Sequence, residues 1–238
     1  MSIKAVLFDL DGTLLPMDQD IFIRSYFGRL AKKLAPFGYE AEALINAIRK
    51  GTAAMIQNDG TRTNEEVFWA SFCHTLHLSS RADETVFEEF YKNEFQKVKE
   101  VCGHETQSAT IVRRLKDAGL TVVLATNPIF PAIATESRMR WAGLSPDDFA
   151  LYTTYENIGY CKPNLKYYEE VTSRLGVSPE ECLMVGNDVG EDMIAADLGM
   201  KVFLLTDCLI NKKNADISAY PHGGFRELNE YLSGVLSR

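Results

Sequence analysis

The sequence predicts an α/β fold, a doubly wound parallel sheet with an all-helical segment inserted after the first strand. Three observations predict it. Short apolar runs bounded by polar residues or glycine recur along the chain, as is typical of buried parallel strands. Patterns of helical period lie between most of these runs. Residues 17–103 show helical periodicity and no convincing strand, so they interrupt the alternation of strand and helix.

The predicted strands and helices alternate over most of the remaining chain. The clear strand candidates are Ala5–Phe8, Thr121–Ala125, Cys182–Val185 and Lys201–Leu205, and a weaker one is Leu151–Thr154. The helical patterns are Ala109–Ala118, Leu165–Leu175 and Asp192–Leu198. A glycine follows each of these helical patterns, which is a common signal for the end of a helix.

The long helical segment suggests a second domain. A polar link, 57–64, divides it, and Thr63 with Glu66 three residues later has the spacing of a capping box, which predicts that a helix begins there. Lys50, Asn58 and Arg62, on or near this link, are candidates to face the functional site. We therefore predict an α/β core formed by residues 1–16 and 104–238, and a helical domain formed by residues 17–103.

Composition narrows the class of protein. Among 238 residues, 25 Lys and Arg face 33 Asp and Glu, which gives a net charge of −8. An acidic chain without a basic stripe is a poor binder of nucleic acid and of anionic membranes, so neither is an expected partner. No run approaches the roughly 20 apolar residues of a membrane span.

The five dispersed cysteines indicate free thiols in a reducing compartment, so we expect a cytoplasmic protein. The oligomeric state is open, and a monomer is compatible with the sequence.

Two carboxylates follow the first predicted strand. Asp9 and Asp11 are two residues apart in Asp-Leu-Asp-Gly-Thr, so both can point to the same side. Two such carboxylates repel each other unless a cation or proton lies between them. Mg²⁺ prefers oxygen ligands, and a carboxylate can also act as a covalent nucleophile. A plain Asp-Gly turn is the alternative, and an EF-hand loop is disfavoured because Asp20, not Glu, stands at its twelfth position.

Other polar residues lie at the ends of later predicted strands or at helix starts. Thr126 and Asn127 follow the second run and could hold a phosphate group, although an ordinary helix cap explains them better when they are taken alone. Lys162 precedes a proline just before a helix, where it could offset negative charge; a surface lysine is the alternative. Asp188 and Asp192 flank a helix start, either as metal-site residues or as acidic residues that favour helix N-termini. The carboxyl ends of parallel strands share one edge of a sheet, so these residues are expected to converge.

Taken together and in order, these motifs resemble those of the haloacid dehalogenase superfamily of phosphohydrolases, in particular the group with a helical cap inserted after the first strand. The four motifs are Asp9-Leu10-Asp11-Gly12-Thr13, then Thr126 with Asn127, then Lys162 before Pro163, then Gly186-Asn187-Asp188 through Asp192. The resemblance spans essentially the whole chain. It implies a Rossmann-like core, with residues 17–103 as the cap.

The resemblance also implies a role for each motif residue. Asp9 attacks phosphorus and ligates Mg²⁺. Asp11 protonates the leaving alcohol and then activates water against the aspartyl-phosphate, and its main-chain carbonyl ligates the metal. Thr126 binds the transferring phosphoryl group, and Lys162 neutralises charge. These roles agree with the need of phosphoryl transfer for positioning and charge neutralisation.

One motif departs from the family pattern. The family usually has Asp directly after the glycine of the fourth motif, where this chain has Asn187 and then Asp188. Because Asp188 and Asp192 keep the spacing of the shorter form of the motif, we prefer Asp188 as the metal ligand. Asn187 as the ligand, with Asp192 orienting the loop, is the alternative.

The predicted activity is Mg²⁺-dependent hydrolysis of a small phosphorylated metabolite. A phosphomutase with the same residues, or a non-catalytic binding or regulatory module, are the alternatives. A dehalogenase is disfavoured because dehalogenation needs no acid at the position of Asp11.

Overall fold

The computed structural model describes residues 2–81 and 83–236 and contains one parallel sheet. Its strands are β1 (Ala5–Phe8), β2 (Thr121–Leu124), β3 (Leu151–Tyr152), β4 (Cys182–Gly186), β5 (Lys201–Leu205) and β6 (His222–Gly223). Their order across the sheet is β3-β2-β1-β4-β5-β6, and every neighbouring pair is parallel. The predicted doubly wound sheet is therefore confirmed. The sequence did not reveal β6, because His222 and Gly223 do not form an apolar run, whereas the equally short β3 consists of Leu151 and Tyr152.

Four helices lie within residues 17–103, and four lie in the rest of the described chain. The first set is α1 (Gln19–Leu34), α2 (Ala41–Ile56), α3 (Asn64–Leu76) and α4 (Glu84–Lys92), followed by a 3-10 helix, Glu94–Val101. The second set is α5 (Thr106–Asp117), α6 (Ala132–Trp141), α7 (Leu165–Leu175) and α8 (Phe225–Leu236). The predicted capping box of Thr63 and Glu66 begins α3. The helix predicted at Asp192–Leu198 is instead a 3-10 helix, Met193–Leu198, ended by Gly199 with φ of 86°.

Both faces of the sheet are covered. In β1, Val6 and Phe8 belong to one buried apolar cluster, whereas Ala5 and Leu7 belong to another on the opposite face. Successive side chains of a strand point to opposite faces, so this division requires apolar residues at every position. That is why β1 is a continuous apolar run and not an alternating one.

The register of the sheet brings three strand ends together. Phe8 pairs with Leu124 on one side and with Val185 on the other. The N–H of Asp9 donates to the carbonyl of Val185 at 2.9 Å, so β1 ends level with both neighbours. β1 is the strand at which the chain order reverses, and ligands of open α/β sheets bind at such a point.

Aromatic side chains join the helices between β1 and β2 to the rest of the protein. Phe22 and Tyr26 of α1 lie edge-on to Phe130, with ring centroids 6.3 and 5.5 Å away, and Phe95 lies 5.1 Å from Trp141. These contacts place α1 over the carboxyl edge of the sheet. None of the helices within residues 2–81 and 83–236 is long and apolar enough to cross a membrane.

Candidate active site

Asp9, Lys162 and Asp192 form a buried charged triad at the carboxyl edge of the sheet. The ammonium group of Lys162 donates to Asp9 Oδ1 at 3.1 Å and to Asp192 Oδ1 at 2.6 Å. The Lys162 side chain has no exposed surface, so the pairing replaces the water that its charge has lost. The structure thus brings together two predicted site residues and adds Asp192 as the second partner of Lys162.

The electrostatics of this triad follow from burial. Burial raises the pKa of Asp9 to about 8, with Lys162 opposing that rise and with Asp192 and Asp11 reinforcing it. Burial by itself would lower the pKa of Lys162, but the carboxylates of Asp192 and Asp9 outweigh it and raise that pKa well above its ordinary value. One lysine therefore does not fully offset the negative charge gathered here, and a further positive charge would stabilise the ionised form of Asp9.

Asp11 is paired with a buried arginine that the sequence did not single out. Arg138 of α6 donates to Asp11 Oδ2, and Asp11 Oδ1 is buried with no hydrogen-bond partner. Burial raises the pKa of Asp11, against the lowering effect of Arg138 and then of Lys162. A carboxyl group with a raised pKa and one free oxygen facing a cavity is suited to giving and taking a proton. The only sequence signal that Arg138 is buried is its position four residues after Ala134, which places both residues on the same face of α6.

Thr126 and Asn127 follow β2 and line the same cavity as Asp9 and Asp11. The main-chain carbonyl of Thr126 accepts from the hydroxyl groups of Tyr167 and Thr153 at 2.9 and 2.6 Å, which fixes the loop. The amide nitrogen of Asn127 donates to Glu191 at 2.9 Å, whereas its Oδ1 is buried without a partner. Helix α6 begins only at Ala132, so the capping role considered for Thr126 and Asn127 does not apply.

The loop after β4 distinguishes Asn187 from Asp188. Asn187 is buried, accepts from the hydroxyl of Thr13 at 3.0 Å and donates to the carbonyl of Cys208 at 2.7 Å. Asp188 accepts from the N–H groups of Gly190 and Glu191 through Oδ1 alone. No hydrogen bond reaches Asp188 Oδ2 from the described part of the chain. Asn187 is thus engaged on both its oxygen and its nitrogen in joining three segments, and Asp188 retains an oxygen without a protein hydrogen bond for a ligand.

The donor set fits a magnesium ion. Side chains of His, Cys, Asp and Glu within the described ranges form no ready-made cluster of three or more for a metal. Mg²⁺ needs fewer, because it is usually bound by one or two carboxylates with water and substrate phosphate. Asp9 and Asp188 line one cavity, and the main-chain carbonyl of Asp11 is the third predicted donor. The raised pKa of Asp9 and the free oxygen of Asp188 are what such a cation would satisfy.

The cavity itself has a volume of about 130 Å³. Besides the residues already named, it is lined by Glu191, whose pKa is raised by burial, and by Ile23, Ile129 and Phe130. Lys50, Asn58 and Arg62, which the sequence offered as candidates, are not among its lining residues. Asn58 instead bonds the carbonyl of Arg62 and the side chain of Asn64, so that it shapes the polar link.

The chain belongs to the haloacid dehalogenase-like hydrolases, whose family model matches residues 3–197. The resemblance inferred from the four motifs is thereby confirmed. Membership makes the protein a hydrolase of this family.

Two characterised relatives carry different chemistries. The chain is 40% identical over 53 residues to glyceraldehyde 3-phosphate phosphatase of Methanothermobacter thermautotrophicus, which is 22% of this chain and 24% of that protein. It is 30% identical over 136 residues to (S)-2-haloacid dehalogenase of Pseudomonas putida, which is 55% of each chain. The chain therefore spans about a quarter and about half the length of these two relatives, and the family contains both chemistries.

A solved structure matches the fold along almost the whole chain. It is that of a HAD phosphatase from Thermococcus onnurineus, which is 21% identical, covers 98% of this chain and 99% of its own, and has a TM-score of 0.60. At this identity the likeness establishes the fold alone.

Proposed function

We propose that this protein is a Mg²⁺-dependent phosphohydrolase that acts on a small phosphorylated molecule through an aspartyl-phosphate on Asp9. The observation that carries the proposal is the division of labour between two carboxylates. Asp9 is held by Lys162, and Asp11, two residues on, is held by Arg138 with one oxygen free toward the cavity. A nucleophile and a proton carrier are the two groups that this reaction needs.

In the first half-reaction, a carboxylate oxygen of Asp9 forms a bond to phosphorus as the bond from phosphorus to the alcohol oxygen breaks. The protonated carboxyl of Asp11 gives its proton to that leaving oxygen. In the second, the carboxylate of Asp11 takes a proton from water as the water oxygen attacks phosphorus, which releases inorganic phosphate and restores Asp9. Asp11 therefore ends each cycle in its starting state.

The remaining residues position the phosphoryl group and neutralise its negative charge. Lys162 offsets the charge of Asp9 and of the phosphoryl group, and Thr126 with Asn127 holds the phosphoryl oxygens. A Mg²⁺ ion bound by the carboxylates of Asp9 and Asp188 and the main-chain carbonyl of Asp11 would supply further positive charge against those oxygens. Asp192 orients the loop, since its carboxylate bonds both Lys162 and the N–H of Asp188.

The division into domains completes the proposal. Residues 17–103 act as a cap over a core formed by residues 1–16 and 104–238. Ile23 of α1 lines the cavity that holds Asp9, which supports a role for the cap in enclosing the substrate. Such enclosure excludes water while the phosphorylated enzyme exists.

Dehalogenation is the competing chemistry because of the dehalogenase relative. Displacing a halide needs no proton donor, whereas Asp11 is a partly buried carboxyl group held by its own arginine. A carboxyl group with one oxygen free toward the cavity can protonate an oxygen leaving group, so the arrangement favours hydrolysis of a phosphate ester.

The test is release of inorganic phosphate from p-nitrophenyl phosphate, with Mg²⁺ and with excess EDTA, beside release of halide from 2-chloropropionate. We expect phosphate release that requires Mg²⁺ and that falls by at least about 10³-fold in Asp9→Asn, since the covalent nucleophile is lost. Free halide without phosphate, or full activity in Asp9→Asn, would refute the proposal.

A further inference from the structure

A second, larger cavity lies between α1, α2, α3 and the segment that follows β2. Its volume is about 510 Å³, within the range of about 300–1,000 Å³ typical of small-molecule sites. Eight aromatic residues line it, among them Tyr26, Phe27, Phe68, Trp69, Phe130 and Tyr155. We call this space the aromatic compartment.

The aromatic compartment adjoins the candidate active site. Ile23, Ile129 and Phe130 line both cavities, so these three side chains lie at the boundary between them. The active-site cavity, at about 130 Å³, falls below the usual size of a site for a whole small molecule. A substrate whose phosphoryl group lies at Asp9 must therefore place the rest of its structure elsewhere, and the adjoining space is the aromatic compartment.

The wall of the compartment offers little to a polyhydroxylated group. The hydroxyls of Tyr26 and Tyr91 bond each other at 3.0 Å, so those rings present mainly carbon. Arg49 stands at the wall with its guanidinium 6.0 Å from the ring of Phe27. Other polar groups at the wall include Asp20, Thr52 and the indole N–H of Trp69, which has no hydrogen-bond partner among the described residues. Because most of the lining surface is apolar, a sugar would bury more hydroxyls than these groups can pair, which disfavours such a ligand.

Two exposed isoleucines are further evidence for an apolar ligand. Ile23 and Ile56 line the compartment, yet their exposed fractions are 41% and 46%. Large apolar side chains that line a cavity and are also exposed are typical of a surface that a ligand covers.

We infer that the aromatic compartment binds the alcohol portion of the substrate, and that the substrate is a phosphate monoester of an alcohol carrying an aromatic ring. This inference rests on the proposed phosphohydrolase function and adds the class of leaving group. The ring packs among the aromatic side chains, while the phosphoryl group reaches past Ile23 and Phe130 to Asp9.

The experiment compares kcat/KM for 2-phenylethyl phosphate, ethyl phosphate and glycerol 1-phosphate, with Mg²⁺ present. Because all three leaving groups are aliphatic alcohols, the comparison isolates binding of the ring. We expect a preference of at least about tenfold for 2-phenylethyl phosphate, since even one methylene in a fitted pocket is worth about that much.

Ile56→Glu is the informative variant and Phe37→Glu is its matched control. Ile56 and Phe37 are both exposed apolar residues, at 46% and 49%, but only Ile56 lines the compartment. The preference should fall at least about fivefold in Ile56→Glu and stay unchanged in Phe37→Glu, because only the first puts a charge beside the ring.

The outcomes separate this inference from the proposed function. Equal turnover of all three esters, or preference for glycerol 1-phosphate, overturns the aromatic compartment as a substrate site and leaves the phosphohydrolase intact. Absence of phosphate release from these esters and from p-nitrophenyl phosphate overturns the proposed function. In that case, calorimetry measures the binding of 2-phenylethanol to wild type and to Ile56→Glu and tests whether the compartment binds an aromatic alcohol. Weaker binding to the variant supports the inference, and no binding to wild type refutes it.

Discussion

Arg138, which is buried, forms an ion pair with the partly buried Asp11 at the wall of the candidate active site. The guanidinium is held on all sides: Nε donates to the carbonyl of Ala134, one terminal nitrogen donates to Thr135 Oγ1 at 3.2 Å, and the ring of Phe130 lies 4.4 Å from Cζ. Arg138 itself is 1% exposed. A cation fixed this firmly sets both the direction of the Asp11 carboxyl and its readiness to release a proton.

Removing that cation should change the pH dependence of catalysis. Arg138 lowers the pKa of Asp11, so in Arg138→Met the pKa of Asp11 should rise further. Phosphoryl transfer to Asp9 needs Asp11 protonated, so the limb of the profile that falls at high pH should move to higher pH. The rate should also drop about 10²-fold, the usual effect of a displaced catalytic group.

The control is Arg140→Met, on the exposed side of the same helix, where Arg140 contacts Glu136 and Ser137. The measurement is kcat/KM against pH, with thermal melting to verify folding. A profile that keeps its position in Arg138→Met would show that Arg138 only supports packing.

The sequence could predict those site residues that follow a strand or belong to a motif, but not those that only the packing of the folded chain brings to the site. Asp9, Thr126 and Asp188 stand at the ends of apolar runs, and parallel-sheet topology alone brings such ends to one edge. Lys162 was found by its motif. Arg138 could not be found in that way, because an arginine within a helix is normally exposed and only three-dimensional packing shows that this one is buried.

Packing between distant segments also explains the other features that the sequence did not predict. The partner of Asn187 at Cys208 lies on the loop after β5, and no spacing in the sequence links the two. The aromatic compartment depends on how α1, α2 and α3 pack over residues 129–131, although their aromatic residues were visible as helical core. Local patterns predict elements, whereas contacts between distant segments need the structure.

The choice between Asn187 and Asp188 is open to a direct binding measurement. We expect Asp188→Asn to weaken Mg²⁺ binding by at least about tenfold, because a neutral amide replaces a charged oxygen ligand. Asp197→Asn, on the exposed part of the following 3-10 helix, is the control and should bind Mg²⁺ normally. Isothermal calorimetry with Mg²⁺ alone measures both. Loss of binding in Asn187→Ala, with Asp188→Asn unaffected, would assign the ligand to Asn187.

The raised pKa of Asp9 predicts how the free energy of unfolding varies with pH when metal is removed. Burial raises the pKa of Asp9 from 3.8 to about 8, so the folded state holds this proton more tightly than the unfolded state. The contribution of Asp9 to the free energy of unfolding is then greatest below pH 4 and is lost as the pH rises toward 8. In EDTA, the melting temperature should decline across this window more steeply in wild type than in Asp9→Asn.

Adding Mg²⁺ should reverse that decline. A cation favours the ionised form of Asp9 and binds the folded state, so it should raise the melting temperature more at pH 8 than at pH 5. Thermal melts at both pH values, with and without Mg²⁺, test this. An equal effect of Mg²⁺ at the two pH values in wild type would contradict the assignment of Asp9 as a ligand.

Lys162 should prove essential to folding stability as well as to activity. In Lys162→Met, the buried carboxylates of Asp9 and Asp192 lose their shared cation, and breaking a buried pair from one side typically costs about 3–5 kcal/mol. Urea denaturation at pH 7 should show a loss of that order, whereas Lys166→Met, an exposed lysine on α7, should change little. The double variant Lys162→Met with Asp192→Asn should recover part of the loss, because one of the stranded charges is gone. If the double variant is instead less stable than Lys162→Met, the loss comes from packing around the lysine stem and not from the unpaired carboxylates.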